Sequence, residues 1–268
     1  MKALKLIAAI ILASGCSKDI GPIPTPKPFS TDTGVFSSEG SHIQGIAVSE
    51  EAVFASQNNY LVKLDWTGRK LNARKVINHT GDLCWHDGEL YASVANSSYK
   101  GSNPEGEGLI QVYDKDLVLV RERKIDRRTD GITILDGVLY LGMGSKTQPS
   151  SDAHRINIIG RFDPKTLKEI APRAEFDYGV RTSYGFQDIT NDGKYIYATF
   201  YSVDGPDTAV FDKDLNIVRT LESDATNGLD HMPERMSGGK NLFIRAKSIS
   251  TSNPKGISAS FGYWTPEE

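Results

Sequence analysis

The side chains in this chain best suited to chemistry are acids and amides that recur just ahead of short apolar runs. They are Gln44, Asp82, Asp130, Gln187 with Asp188, and Asp230 with His231. Each stands where a run such as Leu83-Cys84-Trp85 or Ile132-Thr133-Ile134 begins. Converging carboxylates can do three things. They can hold a hard divalent cation such as calcium, which takes roughly six to eight oxygen ligands. They can act as general acids and bases once burial or a like charge shifts their pKa. They can also simply line a wet cavity and cap exposed backbone. The residue types leave all three open.

Other signals for chemistry reduce to structure. Asp114-Lys115-Asp116 and Asp212-Lys213-Asp214 open like a calcium loop but lack its later Gly and Glu. Glu105-Gly106-Glu107-Gly108 starts no helix and carries no Lys-Ser/Thr, so it is no phosphate loop. Neither a Gly-x-Ser-x-Gly elbow nor a His-Glu-x-x-His pair occurs. Tyr99, Tyr184, Tyr201 and Trp85 are of a type that stacks on sugars, and equally of a type that fills a β core.

A repeat explains why the polar residues recur. Asp65, Asp114, Asp163 and Asp212 each follow two strand-like residues and lead a turn, and they are spaced 49 residues apart. One more step lands on Phe261, in the last apolar run. Between these marks, Asp87-Gly88, Asp136-Gly137 and Asp192-Gly193 each separate two apolar runs. Asp-Gly there is the strongest short hairpin signal, because a type I′ turn needs positive φ at both central residues. Each repeat therefore reads as four antiparallel strands, which is a propeller blade; a β-solenoid would have shorter, less hairpin-rich repeats. The fold expected is all-β, a five-bladed β-propeller of four-stranded antiparallel blades. The fifth repeat ends after three strands, and residues 31–36 are expected to supply its outer strand. That would close the ring and remove an open sheet edge.

This topology separates two faces. The first-to-second and third-to-fourth connections are tight turns. The second-to-third loops and the blade-to-blade links are long: 96–107, 144–155, 172–185 and 248–255. Long irregular loops on a rigid scaffold are where binding usually sits. His42, His79, His154 and His231 fall on the loop-rich face in this reading, and His86 on the other.

The first 30 residues read as an address. Met1-Lys2-Ala3-Leu4-Lys5 is basic, and the apolar run from Leu6 to Leu12 is too short to span a bilayer. Ala13-Ser14-Gly15-Cys16 follows and resembles the lipobox of bacterial lipoproteins, with Cys16 as the lipidated residue and Leu12 one place ahead of its usual position. The expected organisation is a signal peptide over 1–15, a lipidated tether over 16–30 rich in proline, and a propeller over 31–268. The expected location is the bacterial cell envelope, exported and lipid-anchored, at the outer membrane or cell surface. The formal charge of −3, or −5 without Lys2 and Lys5, argues against a nucleic-acid partner. With Cys16 lipidated, Cys84 is the remaining thiol, and it is expected to be a small buried hydrophobe.

Gln44-Gly45-Ile46-Ala47, with Asp82-Leu83-Cys84-Trp85-His86-Asp87-Gly88-Glu89-Leu90-Tyr91-Ala92 in the next repeat, resembles the five-bladed glutaminyl cyclases (glutamine cyclotransferases). The resemblance covers about a fifth of the chain. It implies an axial carboxylate handling proton transfer. Here that residue is Asp82 where the family has a glutamate, and later blades match poorly. The same residues are similar to propellers of the NHL and gluconolactonase-like groups. Two functions follow. The first is a membrane-anchored protein that binds a small polar ligand, glycan or protein partner on the loop-rich face. The second is an enzyme, either a cyclase-like acyl-transfer catalyst or a metal-dependent hydrolase or lactonase using the axial carboxylates.

Overall fold

The computed structural model describes residues 24–32, 43–57, 59–95, 107–144, 154–202, 205–225, 227–250 and 257–266. In chain order, β1 (Phe29–Asp32) stands apart and joins the last blade. Blade 1 is β2 (Ile43–Val48), β3 (Val53–Gln57), β4 (Tyr60–Leu64) and β5 (Lys70–Lys75). Blade 2 is β6 (Thr80–His86), β7 (Glu89–Val94), β8 (Gly108–Asp114) and β9 (Leu119–Ile125). Blade 3 is β10 (Thr129–Leu135), β11 (Val138–Met143), β12 (His154–Phe162) and the first part of β13 (Glu169–Asn191). The rest of β13 opens blade 4, with β14 (Ile196–Ser202), β15 (Thr208–Phe211) and β16 (Ile217–Leu221). Blade 5 is β17 (Leu229–His231), β18 (Phe243–Ser250) and β19 (Ile257–Trp264), with a short helix α1 (Glu234–Ser237) after β17. The protein is an all-β, five-bladed propeller. The first strands neighbour one another around the ring, β2 to β6 to β10 to β13 to β17 and back to β2.

The turns follow from their residues. Asp87 and Gly88 have φ of 48° and 82°, and Asp136 and Gly137 have 51° and 74°, as a type I′ hairpin requires. In blade 4, Asn191 pairs with Ile196 instead, so the connection is four residues long. There Asp192 Oδ1 accepts the N–H groups of Lys194 and Tyr195. The aspartates that mark the repeat each fold a third-to-fourth turn. Asp114 Oδ1 accepts the N–H groups of Asp116 and Val118, and Asp212 Oδ1 those of Asp214 and Asn216. The leucine that closes these turns is buried and left-handed: Leu117, Leu167 and Leu215 have φ of 65°, 55° and 67°. That backbone costs about 1–2 kcal/mol for an L-residue, and burying a leucine returns about 1.5–3 kcal/mol. The first turn solves the same problem with Gly68 at φ 85°.

Apolar residues from facing blades fill the seams. Ile46, Val62 and Phe261 pack between blades 5 and 1, and Phe54, Leu61 and Leu90 between blades 1 and 2. Tyr91, Ile132 and Leu141 fill the next seam, Tyr140, Phe186 and Phe211 the one after, and Tyr197 and Phe243 the last. Trp85 stacks on Phe54 at 4.8 Å in the second of these seams, so it serves the core. Cys84 is buried as expected, and burial pushes its thiol pKa up.

Two expectations change. The closing strand is β1, which begins at Phe29, two residues ahead of the expected segment; residues 33–36 lie outside the described residues. β1 pairs antiparallel with β19, Phe29 against Phe261 and Asp32 against Ser258. The link expected as a loop over 172–185 is part of β13, a 23-residue strand. It pairs with β12 from Glu169 to Asp177 and again at Thr182, and with β14 from Thr182 onward. Pairing with β12 along its first part and with β14 along its last recruits this Pro- and Gly-containing stretch, which overrides its weak strand propensity.

Candidate functional site

The register sorts the axial residues into tiers. Ile46, Leu83, Ile132, Ile189 and Leu229 pair with Ala55, Ala92, Leu141, Ala198 and Arg245 of their second strands. The residues just before them are therefore equivalent: Gly45, Asp82, Gly131, Asp188 and Gly228. One step toward the loop-rich end lie Gln44, Gly81, Asp130, Gln187 and Asn227. Two steps the other way lie Ala47, Cys84, Thr133, Thr190 and Asp230.

The middle tier is packed shut. Asp82 and Asp188 have no solvent exposure. Asp82 Oδ2 accepts the N–H of Ile132 and the N–H of Ile189, each at 2.8 Å, so one carboxyl of blade 2 ties blades 3 and 4. The inner edge of a first strand has no further strand to satisfy its N–H groups, and buried donors must find acceptors. The glycines of this tier make room. A Cβ at Gly45 would sit 2.4 Å from the Cα of Asp82, and one at Gly131 2.9 Å from the carbonyl carbon of Asp188.

As two carboxylates, Asp82 Oδ1 and Asp188 Oδ1 would be enclosed without a donor. A proton held between them supplies it, and Asp188 takes a side-chain hydrogen bond from Asp82. Burial first, then the neighbouring Asp188, drives the pKa of Asp82 well above the carboxylate range. Burial likewise raises that of Asp188. Two adjacent carboxyls in a dry site cannot both ionise at neutral pH.

Asp230 works one tier further in. Its Oδ2 accepts the N–H of Val48 at 2.8 Å, and its Oδ1 accepts the Thr190 hydroxyl at 2.7 Å and the His231 N–H at 2.9 Å. It ties blade 5 to blades 1 and 4, and burial raises its pKa to about 7. Serines add to the lacing. Ser56 donates to the carbonyls of Gly45 and Gly81, and Ser93 to those of Asp82 and Asp130.

Asp130 is different. It lies in the tier nearest the loop-rich end, which half-buried Gln44 and Gln187 share. Its Oδ1 accepts a 2.6 Å hydrogen bond from Arg128 Nη2, and both side chains are nearly enclosed. Burial raises its pKa to about 7 against the pull of that guanidinium.

The expected ring is thus three tiers rather than one mouth. Asp82 and Asp188 come together directly, and Asp230 lies beneath them. His231 is not on the loop-rich face. It ends β17 toward the tight turns, packed edge-on against Phe243 at 4.9 Å, and burial lowers its pKa. His42 and Tyr99 lie outside the described residues. Among the described residues, no group of three His, Cys, Asp or Glu side chains is arranged to hold a metal ion. Sequence reasoning missed Arg128 and the glycine tier. The signal for the latter was present, as Gly or Asp directly before Ile or Leu in every blade.

No protein-family model matches the chain, and no curated protein matches it in sequence. Solved structures align with much of its length. The Neurospora crassa Pan2 WD40 domain is 10% identical, with 84% of this chain and 76% of that one covered and a TM-score of 0.44. A protein of unknown function from Bacteroides caccae is 11% identical over 69% and 83%, with a TM-score of 0.40. Hsv2 of Kluyvelomyces marxianus is 10% identical over 77% and 74%, with a TM-score of 0.39. At this identity they carry no statement about function.

Proposed function

We propose that the chain is a lipid-anchored binding protein of the bacterial cell envelope, whose propeller engages a small polar ligand, a glycan or a protein partner on its loop-rich face. One observation carries the reading: three of the four axial carboxyls expected to do chemistry, Asp82, Asp188 and Asp230, are spent on the ring itself. Asp82 and Asp230 accept backbone N–H groups from other blades, and Asp188 is enclosed beside Asp82. What remains for a partner is the face that carries the loops. Anchorage rests on Cys16 and the sequence ahead of it.

The test has two arms. Cys16→Ser moves the protein from the membrane fraction to the soluble fraction, and unchanged fractionation removes the anchor. For binding, a ligand selected on glycan and peptide arrays is titrated against variants in which loop 96–106, 145–153 or 251–256 is replaced by a short Gly-Ser linker. At least one replacement abolishes binding with an unchanged melting temperature. Full binding by all three variants rejects the loop-rich face.

Asp130 favours a second reading, an enzyme of the cyclase-like or the metal-dependent hydrolase or lactonase kind. It sits nearest the loop-rich end, with a pKa of about 7, suited to general acid–base catalysis. Glutaminyl-peptide cyclisation and lactone hydrolysis are the assays. Turnover that Asp130→Asn abolishes establishes the enzyme, and turnover no faster than buffer excludes it for these substrates.

A further inference from the structure

The proline-rich segment ahead of β1 is not a free leash at its propeller end. Thr25 Oγ1 donates to the carbonyl of Met236 at 2.5 Å, and the Tyr263 hydroxyl donates to the carbonyl of Pro26 at 2.7 Å. Pro24, Pro26, Pro28 and Phe29 wall a groove of about 560 Å³ whose other side includes Trp66 and Met236. Phe29 then stacks on Phe261 at 4.6 Å.

Apart from the Phe29–Phe261 stack, which lies within blade 5, these contacts lie on one face. Glu50 and Trp66, which line the groove, belong to the β2–β3 and β4–β5 turns, and Met236 to the β17–β18 connection. These are first-to-second and third-to-fourth connections, which share the tight-turn face, not second-to-third loops. The direction of β1 agrees: paired antiparallel to β19, it starts opposite Phe261, midway along β19, and runs toward the β18–β19 loop. The chain enters the disc from the tight-turn face.

We propose that this strap fixes how the protein stands on the membrane, with the tight-turn face toward the lipid and the loop-rich face presented outward. The proposal rests on the lipid-anchor reading and adds the orientation to it. Length decides the point. From Cys16 to Pro24 is eight residue steps, which reach at most about 28 Å fully extended. A seven-residue strand such as β6 makes the disc about 23 Å thick. A tether of that reach, leaving from the tight-turn face, has almost no slack with which to pass the rim and invert the disc. Diffusion about the membrane normal stays free, and tumbling does not.

The experiment uses the full lipidated chain in vesicles that carry an energy-transfer acceptor on their headgroups. A donor dye is placed on Asp87→Cys, in the β6–β7 turn, or on Glu107→Cys, at the loop-rich start of β8. Both positions are exposed. Co-sedimentation with vesicles is measured first on the same samples. Bound protein should transfer about twofold more energy from position 87 than from 107, since the faces lie a strand length apart. Adding 20 Gly-Ser residues between Ile20 and Gly21 should erase the difference. Bound protein with equal transfer from both sites, or with the larger transfer from 107, overturns the orientation and leaves the anchor standing. Failure to co-sediment overturns both.

Discussion

Asp82 shows how a residue that looks chemical can be structural. Its Oδ2 satisfies two buried N–H groups, and its other oxygen shares a proton with Asp188. Asp82→Ala leaves both N–H groups unpaired at about 1–3 kcal/mol each, so chemical denaturation should report a loss of about 2–6 kcal/mol. Asp82→Asn keeps an acceptor for those N–H groups and a donor for Asp188, so it should fold at nearly wild-type stability at pH 6. The pH dependence has a definite sign. Asp82, Asp130, Asp188 and Asp230 all have raised pKa values in the folded state, with Asp130 and Asp230 near 7. The folded protein binds more protons than the unfolded chain between the ordinary carboxylate pKa and these values. Stability contributed by these groups is therefore full below about pH 4 and falls as pH rises through 7 and beyond. Asp82→Asn should flatten that slope in melting curves from pH 5 to 9, and an unchanged slope would remove the shared proton. The sequence announced the carboxyls but not their partners, because the N–H groups they bind lie 50 and 107 positions further along the chain.

At the scale of elements, the turns were legible and the longest strand was not. Asp-Gly dictates two of the hairpins through backbone sterics alone, and Asp114 and Asp212 fold their turns with their own side chains. Information of that kind is local. The path of β13 is decided by β12 and β14, whose edges recruit a stretch that by itself reads as a link. The turn leucines expose the balance between local and tertiary terms. Leu117→Gly relieves a left-handed backbone worth about 1–2 kcal/mol but removes a fully buried side chain worth about 2–5 kcal/mol. Packing should win, and urea denaturation should show a net loss of about 1–3 kcal/mol. A stabilised variant would mean that strain dominates the turn.

For the molecule as a whole, the repeat gave the number of blades, and the shortfall in the last blade gave the manner of closure. The tiers that fill the axis emerged only with the ring, since Gly45 meets Asp82 and Gly131 meets Asp188 across blades. Closure also makes the ring one cooperative unit. Deleting residues 24–32 removes the outer strand of blade 5 and the Phe29–Phe261 stack. The seam between blades 5 and 1 should then weaken, and the melting temperature of the entire domain should fall in a single transition. Tryptophan fluorescence and far-ultraviolet circular dichroism should report the same midpoint. Two separate midpoints would show that blade 5 frays while the other blades persist.

The pairing of β1 with β19 also sets an order of events at birth. Phe29 leaves the ribosome, or a translocation pore, ahead of nearly everything it will touch, and its partner Phe261 comes 232 residues later. Until then the chain is an unclosed arc with a free sheet edge at each end. Contacts this distant in sequence are slow to form, because the entropy of closing so large a loop is lost before any packing offsets it. A polypeptide stalled before β19 therefore cannot reach the native ring, however well its early blades form. Its open edges make it a natural substrate for holdases and proteases.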